Sequence, residues 1–349
     1  MDSGWLDSAD KDTEPMTQPT GVFVTGGTGF IGTKLVNALV QKGHSVHALS
    51  RSTSNRQGLE HERISFVSGD LMDKESLRRG MEGCSQAYHL AAYAKNWAKD
   101  PSVFFKQNVD GTKNVFEAGR DAGVKRIVFT STIVVYGPTA PGVIGDEAMP
   151  RITQRCFTEY EESKVLAQQE ALRFVERGHD IIVVNPTRVY GPGKLTEGNS
   201  VSLMISLYDK GKVPVLLNRG VDVGNYVHVD DLVRGHILAM ERGRTGQSYI
   251  LGGENSSLKH IFELVDEVSG KKHFQINLPP AFAFAYARFE QKKAELLGLY
   301  PQITPGWVET FLQDWAYTCT KAQRELGYSI TPLKDGVRET YEWLRKGAV

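Results

Sequence analysis

The chain has 349 residues, 40% hydrophobic and 23% charged, with 41 basic against 41 acidic side chains and a formal net charge of zero. That balance gives no electrostatic reason to expect nucleic acid or an anionic membrane surface as partner, and the length suits one large core with an attached lobe. Three cysteines without paired spacing (Cys84, Cys156, Cys319) suit reduced thiols in a cytoplasmic protein, and nine histidines show no metal-ligand spacing, so no metal is expected.

Residues 1–19 carry Asp2, Asp7, Asp10, Asp12 and Glu14 among small polar residues. They read as a disordered arm, neither a secretory signal nor an acidic-poor transit peptide. No segment approaches the roughly 18 to 20 apolar residues of a membrane span. Thr20 to Val24 is a short apolar run of the kind found in buried parallel strands, and Lys34 to Gly43 is a helical period closed by glycine. Between them lies Thr25-Gly26-Gly27-Thr28-Gly29-Phe30-Ile31-Gly32. Strand, glycine turn and helix in that order present helix N-terminal amides and a positive dipole end to a pyrophosphate. Gly26 allows the tight turn, Gly29 the approach of phosphate, and Gly32 the packing of helix on strand. With Thr28, Phe30 and Ile31 they are candidate cofactor contacts.

Further strands are expected at Ser45–Ser50, Ile64–Asp70, Ser85–Ala92, Lys125–Ser131 and Asp180–Asn185, with helices over Ser76–Met81, Val103–Ala122 and Glu159–Arg177. The alternation predicts an α/β fold: a Rossmann-type doubly wound parallel sheet with a smaller C-terminal substrate-binding lobe. The dinucleotide domain is expected over 20–190 with a return segment near 225–250, and the lobe mainly over 191–224 and 251–349. Ligands in such sheets bind beyond the carboxyl ends of the strands, where Asp70, Ala91, Ala92, Thr130 and Asn185 fall.

Tyr160 and Lys164 stand four apart on a predicted helix and share one face. An ammonium beside a phenol favours phenolate and tunes a general acid/base toward neutrality; a solvated tyrosine beside a surface lysine is the plainer alternative. At the end of the second strand, Ser50 occupies the place of the acid that would bind the ribose diol of NAD, and Arg51 follows it. An arginine there can pair with the 2'-phosphate of NADP. NADP(H) is therefore favoured and NAD(H) stays open, since Arg51 could instead stack on adenine. Two apolar stretches, Leu278 to Phe289 and Val201 to Tyr208 with Met204, either line a substrate pocket or pack the lobe.

Taken together, the glycine turn, Gly69-Asp70-Leu71, His89-Leu90-Ala91-Ala92, Asn108-Val109-Asp110-Gly111-Thr112, Tyr160 with Lys164, Asn185 to Gly193 and Tyr226 to Leu232 resemble the extended short-chain dehydrogenase/reductases from about Gly21 to Leu344. The resemblance implies that Asp70 and Leu71 contact adenine, Ala91 and Ala92 the ribose and phosphates, and Pro186 and Val189 the nicotinamide carboxamide. It places Thr132, with Ser131 as rival, as the hydroxyl that holds the substrate oxygen. Tyr160 then transfers the proton, Lys164 holds the ribose hydroxyls, and Asn108 holds a water linked to the lysine unless it is a helix-packing amide. Tyr136 lines the substrate side or packs the core.

Two departures narrow the chemistry. Ile133 and Val134 follow Thr132 where the family's sugar dehydratases carry an acidic pair, and Gly224 stands where its sugar-nucleotide epimerases often carry a phosphate-binding arginine. Cys156 to Lys164, Gly191 to Thr196 and His228 to His236 are similar to the plant farnesol dehydrogenase group within the dihydroflavonol 4-reductase-like branch. The resemblance therefore implies interconversion of an alcohol and a carbonyl on a hydrophobic small molecule, such as a prenyl alcohol, flavonoid or steroid. A sugar epimerase with transiently reduced cofactor and a catalytically silent nucleotide-binding regulator are the alternatives. The helices over 103–122 and 159–177 form a dimer interface in such relatives, so a homodimer is expected.

Overall fold

The computed structural model describes residues 21–212 and 215–347, so the expected arm at 1–19 lies outside the described residues. Twelve strands are described in three sheets. The first six are β1 (Gly21–Thr25), β2 (Ser45–Ser50), β3 (Ile64–Ser68), β4 (Cys84–His89), β5 (Arg126–Thr130) and β6 (Ile181–Pro186). They are followed by β7 (Arg188–Tyr190), β8 (Val215–Leu217), β9 (Val223–His228), β10 (Ser248–Leu251), β11 (Glu254–Ser257) and β12 (Ile276–Leu278).

The main sheet has seven strands in the order β10-β6-β5-β4-β1-β2-β3. Every pairing in it is parallel, with Val22 opposite Val46 and Val128 opposite Ile182. Side chains alternate across it, as the two-residue period of a strand requires. Val22 and Val24 pack with the helices at Phe30–Gln41 and Val229–Arg242 on one face, and Phe23, Ile127 and Phe129 with those at Gly111–Asp121 and Glu159–Glu176 on the other. Because helices cover both faces, Ile181 to Val184 are all fully buried and read as one unbroken apolar run. The strand order turns back between β1 and β4, which opens a crevice beyond their carboxyl ends.

The helix expected over Val103–Ala122 is corrected. It is helical at Ser102–Phe105, makes a π-turn at Lys106–Asp110, and resumes at Gly111–Asp121. Hydrophobic periodicity does not reveal one extra residue inserted in a helix, because the same face is buried on either side of the bulge.

The lobe combines a three-stranded sheet, β11-β9-β7, and a β12-β8 pair with helices at Ser200–Asp209, Leu258–Ser269, Pro280–Leu297 and Leu333–Arg345. The return near 225–250 divides: β9 stays with the small sheet, whereas β10 extends the main sheet beside β6. Among the described residues no helix is long and apolar enough to cross a membrane.

Candidate active site

The glycine turn behaves as its spacing predicts. Gly26 has φ +72°, and a Cβ there would lie 2.7 Å from the Ala91 amide nitrogen; one at Gly32 would lie 2.0 Å from the Gly26 carbonyl oxygen. A Cβ at Gly29 would meet only that same oxygen, at 3.2 Å, so the mouth of the turn is open. The helix at Phe30–Gln41 starts with no side-chain cap and no acid in its first turn. Its first amides are thus free to donate to an anion, helped by the helix dipole. A cavity of about 390 Å³ lies over this turn. Gly26, Thr28, Gly29, Arg51, Asp70, Leu71, Ala91 and Ala92 line it, together with Ser54, Tyr93 and Gln107, which sequence reasoning did not single out. Phe30 and Gly32 are buried beneath. The cradle fits a dinucleotide.

Arg51 is exposed at the cavity wall, and its guanidinium makes no hydrogen bond or ion pair among the described residues. The neighbouring arginine is the fixed one: Arg56 donates from Nε to Ser50 Oγ at 3.0 Å and stacks 4.4 Å from the centre of the Phe66 ring. A further cation arrives from far along the chain, since Lys194 Nζ lies 3.1 Å from the Thr28 carbonyl and 3.4 Å from that of Asn55. The signal for it was the run Gly191-Pro192-Gly193, where Gly191 and Gly193 adopt φ +133° and +147° and a Cβ at Gly193 would lie 2.7 Å from the Phe30 ring.

Tyr160 and Lys164 lie in the first turns of the helix at Glu159–Glu176, whose N-cap Thr158 accepts from the Glu161 amide at 3.2 Å. The buried Glu161 accepts from the Phe157 amide at 2.7 Å and pairs with Arg151. Arg151 in turn donates to the Val134 carbonyl at 3.0 Å. One buried ion pair therefore ties the tyrosine helix to the segment that follows Thr132. The Thr132 hydroxyl faces the phenol of Tyr160. Burial pushes that phenol up to about 12, and the Thr132 contact opposes the rise.

Lys164 is buried, donates from Nζ to the Thr130 carbonyl at 3.0 Å and lies 4.7 Å from the centre of the Phe129 ring. Burial brings it down to about 7. In this protein the ammonium is thus turned to a carbonyl, and desolvation governs the phenol. The expectation of a phenol lowered by its lysine does not describe this state, because the four-residue spacing sets a shared face and leaves the direction of the lysine stem open.

Asn108 sits in the π-turn. Its Oδ1 accepts from the Tyr93 amide at 2.7 Å and its Nδ2 donates to Ser163 Oγ at 2.9 Å. The side-chain amide thus joins a wall of the cavity to the helix that carries Tyr160, and the Asn108 main-chain carbonyl accepts from Thr112 Oγ1 at 2.6 Å. Thr130 gives its carbonyl to Lys164 and its hydroxyl to His236, while Pro186 and Val189 are buried where β6 passes into β7. Tyr136 donates to Asn185 Oδ1 at 3.4 Å, and burial pushes its phenol up to about 12.

Met204 does line a cavity, an apolar one of about 750 Å³ bounded by Leu203, Leu278, Trp307 and Phe311. Asn96 and Thr304 are shared with a smaller cavity of about 230 Å³ whose wall includes Phe157, Thr158 and Glu159, the residues directly before Tyr160. Elsewhere His228, Asp230 and Glu339 bring potential ligand atoms together. The two His228 nitrogens face different carboxylates, at 3.9 and 3.7 Å, and Asp230 is already paired with Lys34.

An all-parallel sheet with a phosphate cradle at its switch point and a Tyr-x-x-x-Lys helix beside it defines a nicotinamide-dependent enzyme of the Rossmann class. A model of the NAD dependent epimerase/dehydratase family matches residues 22–252. The chain belongs to that family, the extended short-chain dehydrogenase/reductases, in its dihydroflavonol 4-reductase-like branch. It is 33% identical over 327 residues to a Synechocystis sp. protein provisionally named dihydroflavonol 4-reductase, covering 93% of this chain and 94% of that one. It is 32% identical to a 4-hydroxy-2-methyl-3-oxo-4-farnesyl-3,4-dihydroquinoline-1-oxide ketoreductase of Stigmatella aurantiaca, covering 88% and 91%. Among solved structures, gox2253 superposes with a TM-score of 0.79 at 32% identity, covering 94% of this chain and 98% of that one. A Thermus thermophilus UDP-glucose 4-epimerase in complex with NAD gives 0.76 at 26%, covering 94% and 100%.

Proposed function

We propose that the protein interconverts an alcohol and a carbonyl on a hydrophobic small molecule, with NADP(H) as the favoured cofactor. The observation that carries this reading is the large apolar cavity, which shares Asn96 and Thr304 with a pocket walled by Phe157, Thr158 and Glu159, the residues directly before Tyr160. A bound nicotinamide supplies the hydride acceptor or donor. The chain's own part is to hold and move the proton. In oxidation the Tyr160 oxygen takes the proton from the substrate hydroxyl, and in reduction it returns one to the carbonyl oxygen, while the Thr132 hydroxyl fixes that oxygen in place. Lys164 is to leave the Thr130 carbonyl for the ribose hydroxyls, where its regained charge favours phenolate. Asn108 keeps Tyr93 and Ser163 in register across this space.

A plant farnesol dehydrogenase-like substrate, a prenyl alcohol, agrees with the apolar lining, and the farnesyl-bearing substrate in the name of the Stigmatella relative points the same way. The free Arg51, with Ser54 beside it on the cavity wall, supports NADP. Arg51→Ala should weaken NADP by about 1.5 to 3 kcal/mol, the scale of a charge-assisted contact, and leave NAD nearly untouched. Equal losses for both would return Arg51 to adenine stacking. A homodimer through the helices at Gly111–Asp121 and Glu159–Glu176, where Leu166 and Leu172 are exposed, completes the proposal.

Prenyl, steroid, flavonoid and sugar-nucleotide substrates compared by cofactor absorbance would test the reading. Net reduction or oxidation of an apolar substrate is expected. Turnover restricted to a sugar nucleotide, with a tightly held cofactor unchanged at the end, would replace it with an epimerase.

A further inference from the structure

The large apolar cavity contains one group that does not belong with its surroundings. Arg188, at the start of β7, reaches its wall from the strand that follows Pro186. Its guanidinium lies 4.7 Å from the centre of the Phe311 ring and 5.7 Å from that of Tyr226, and Nη1 donates to the Tyr226 hydroxyl at 3.2 Å. Among the described residues it has no ion pair, and Tyr226 is its one hydrogen-bond partner. A guanidinium carries five donors, so most of the hydrogen-bonding capacity of this half-buried group is unspent within the protein.

None of the other charges at the cavity is ion-paired with it among the described residues. Glu197 is occupied by Lys95 at 2.7 Å, by the Asn96 amide at 3.0 Å and by the Tyr300 hydroxyl at 2.7 Å. Asp222 is held by Asn218 Nδ2 at 2.9 and 3.1 Å, and burial raises its carboxyl despite the charge of Arg188. Lys212 is exposed.

Room for the guanidinium depends on a glycine across the small sheet. A Cβ at Gly224, on β9, would lie 2.7 Å from Arg188 Nη1 and 3.1 Å from its Cζ. Gly224 is therefore less a missing anchor than the space in which a positive charge from β7 is seated, near the rings of Phe311 and Tyr226.

We infer that Arg188 is an oxyanion subsite within the substrate cavity, and that the physiological substrate is an amphiphile: an apolar body along Met204, Leu278 and Trp307, and a carboxylate or phosphate on Arg188. A planar, preorganised fork surrounded by apolar side chains recognises such a group more strongly than a hydrated surface arginine would. The inference rests on the reading of this cavity as the substrate site.

Its test is a binding measurement on the cofactor-loaded enzyme, by calorimetry, with octanoate, octyl phosphate and octanol. The native protein should bind at least one anion about ten-fold or more tightly than octanol; which anion wins separates a carboxylate from a phosphate substrate. Arg188→Met should remove that preference while changing octanol binding less than about two-fold, and Arg188→Lys should keep part of it. Gly224→Ala, which displaces the guanidinium without deleting it, should produce the same selective loss and guards against a folding defect in the first variant.

Equal affinity of the native protein for all three ligands would overturn the inference, as would an equal loss of anions and octanol in Arg188→Met, the mark of a packing role. Failure of every ligand to bind also overturns it. If Tyr160-dependent turnover of a neutral alcohol then persists, the oxidoreductase reading stands without the anion subsite.

Discussion

The dinucleotide half and the outer lobe solve opposite problems. In the first, two histidines are taken deep into the sheet and matched: His89 lies between the hydroxyls of Thr25, at 2.7 Å, and Thr112, at 3.0 Å, and His236 between the Thr130 hydroxyl and the Leu232 carbonyl. In the second, apolar groups are brought to the surface and left uncovered. Phe282, Tyr286 and Phe289 form a stripe at helical spacing on Pro280–Leu297, joined by exposed Phe274, Leu296 and Leu297. The difference teaches where each kind of specificity resides. A cofactor of constant shape is met by a preorganised frame of paired polar groups, whereas an apolar substrate is met by a lobe whose contacts are mostly side chain against side chain.

If the chemistry belongs to the dinucleotide half, Tyr160→Phe should lose roughly two to four orders of magnitude in turnover while keeping cofactor affinity, as removal of a positioned acid/base does. Steady-state rates beside cofactor titration would show this, and near-native turnover on an established substrate would end the assignment. Next in size, Glu161→Ala leaves Arg151 partly buried without its carboxylate and unties the Thr132 segment from the tyrosine helix. Loss of one partner of a buried pair costs about 3 to 5 kcal/mol, which urea denaturation would measure. A change near zero would mean that water replaces the pair at no cost.

The matched histidines should make the same half acid-sensitive. Burial lowers His89 to about 3 and His236 to about 4. Below the unfolded value of about 6.5 the unfolded chain binds protons that the folded chain refuses, so stability falls as pH falls from there toward the folded values. At about pH 5 each histidine should cost about 2 kcal/mol relative to neutral pH, and His236→Asn should remove one share of that slope. A stability profile flat from neutral pH to about pH 5 would show that both rings are protonated in the folded chain. The smallest effect is expected in the lobe, where Phe289→Ser on the exposed stripe should alter stability by no more than about 0.5 kcal/mol. A loss of several kcal/mol there would break the comparison, because the stripe would then be part of a core.

Legibility followed the range of the interactions. The parallel strands were readable to within a residue or two at most ends, since burial on both faces leaves continuous apolar runs such as Ile181 to Val184. The glycine turn was readable because each glycine answers a contact with a nearby segment. The short strands β7, β8, β11 and β12 were not, for three or four residues carry too little period to separate from loop.

By itself the sequence determined the class of protein: the order of strand, glycine turn and helix, the position of Tyr160 and Lys164 on one helix, and the hydroxyl of Thr132 at the end of the neighbouring strand. These are consequences of local geometry, repeated at every turn of helix or strand. Tertiary structure alone decided the π-turn that carries Asn108, the direction of Lys164 toward Thr130, the arrival of Lys194 at Thr28, and the seating of Arg188 over Gly224. Each of these depends on which distant segments meet and on how much water they exclude. Position along the chain fixes neither, and so the identity of the charged partners in the site became visible only once the chain was folded.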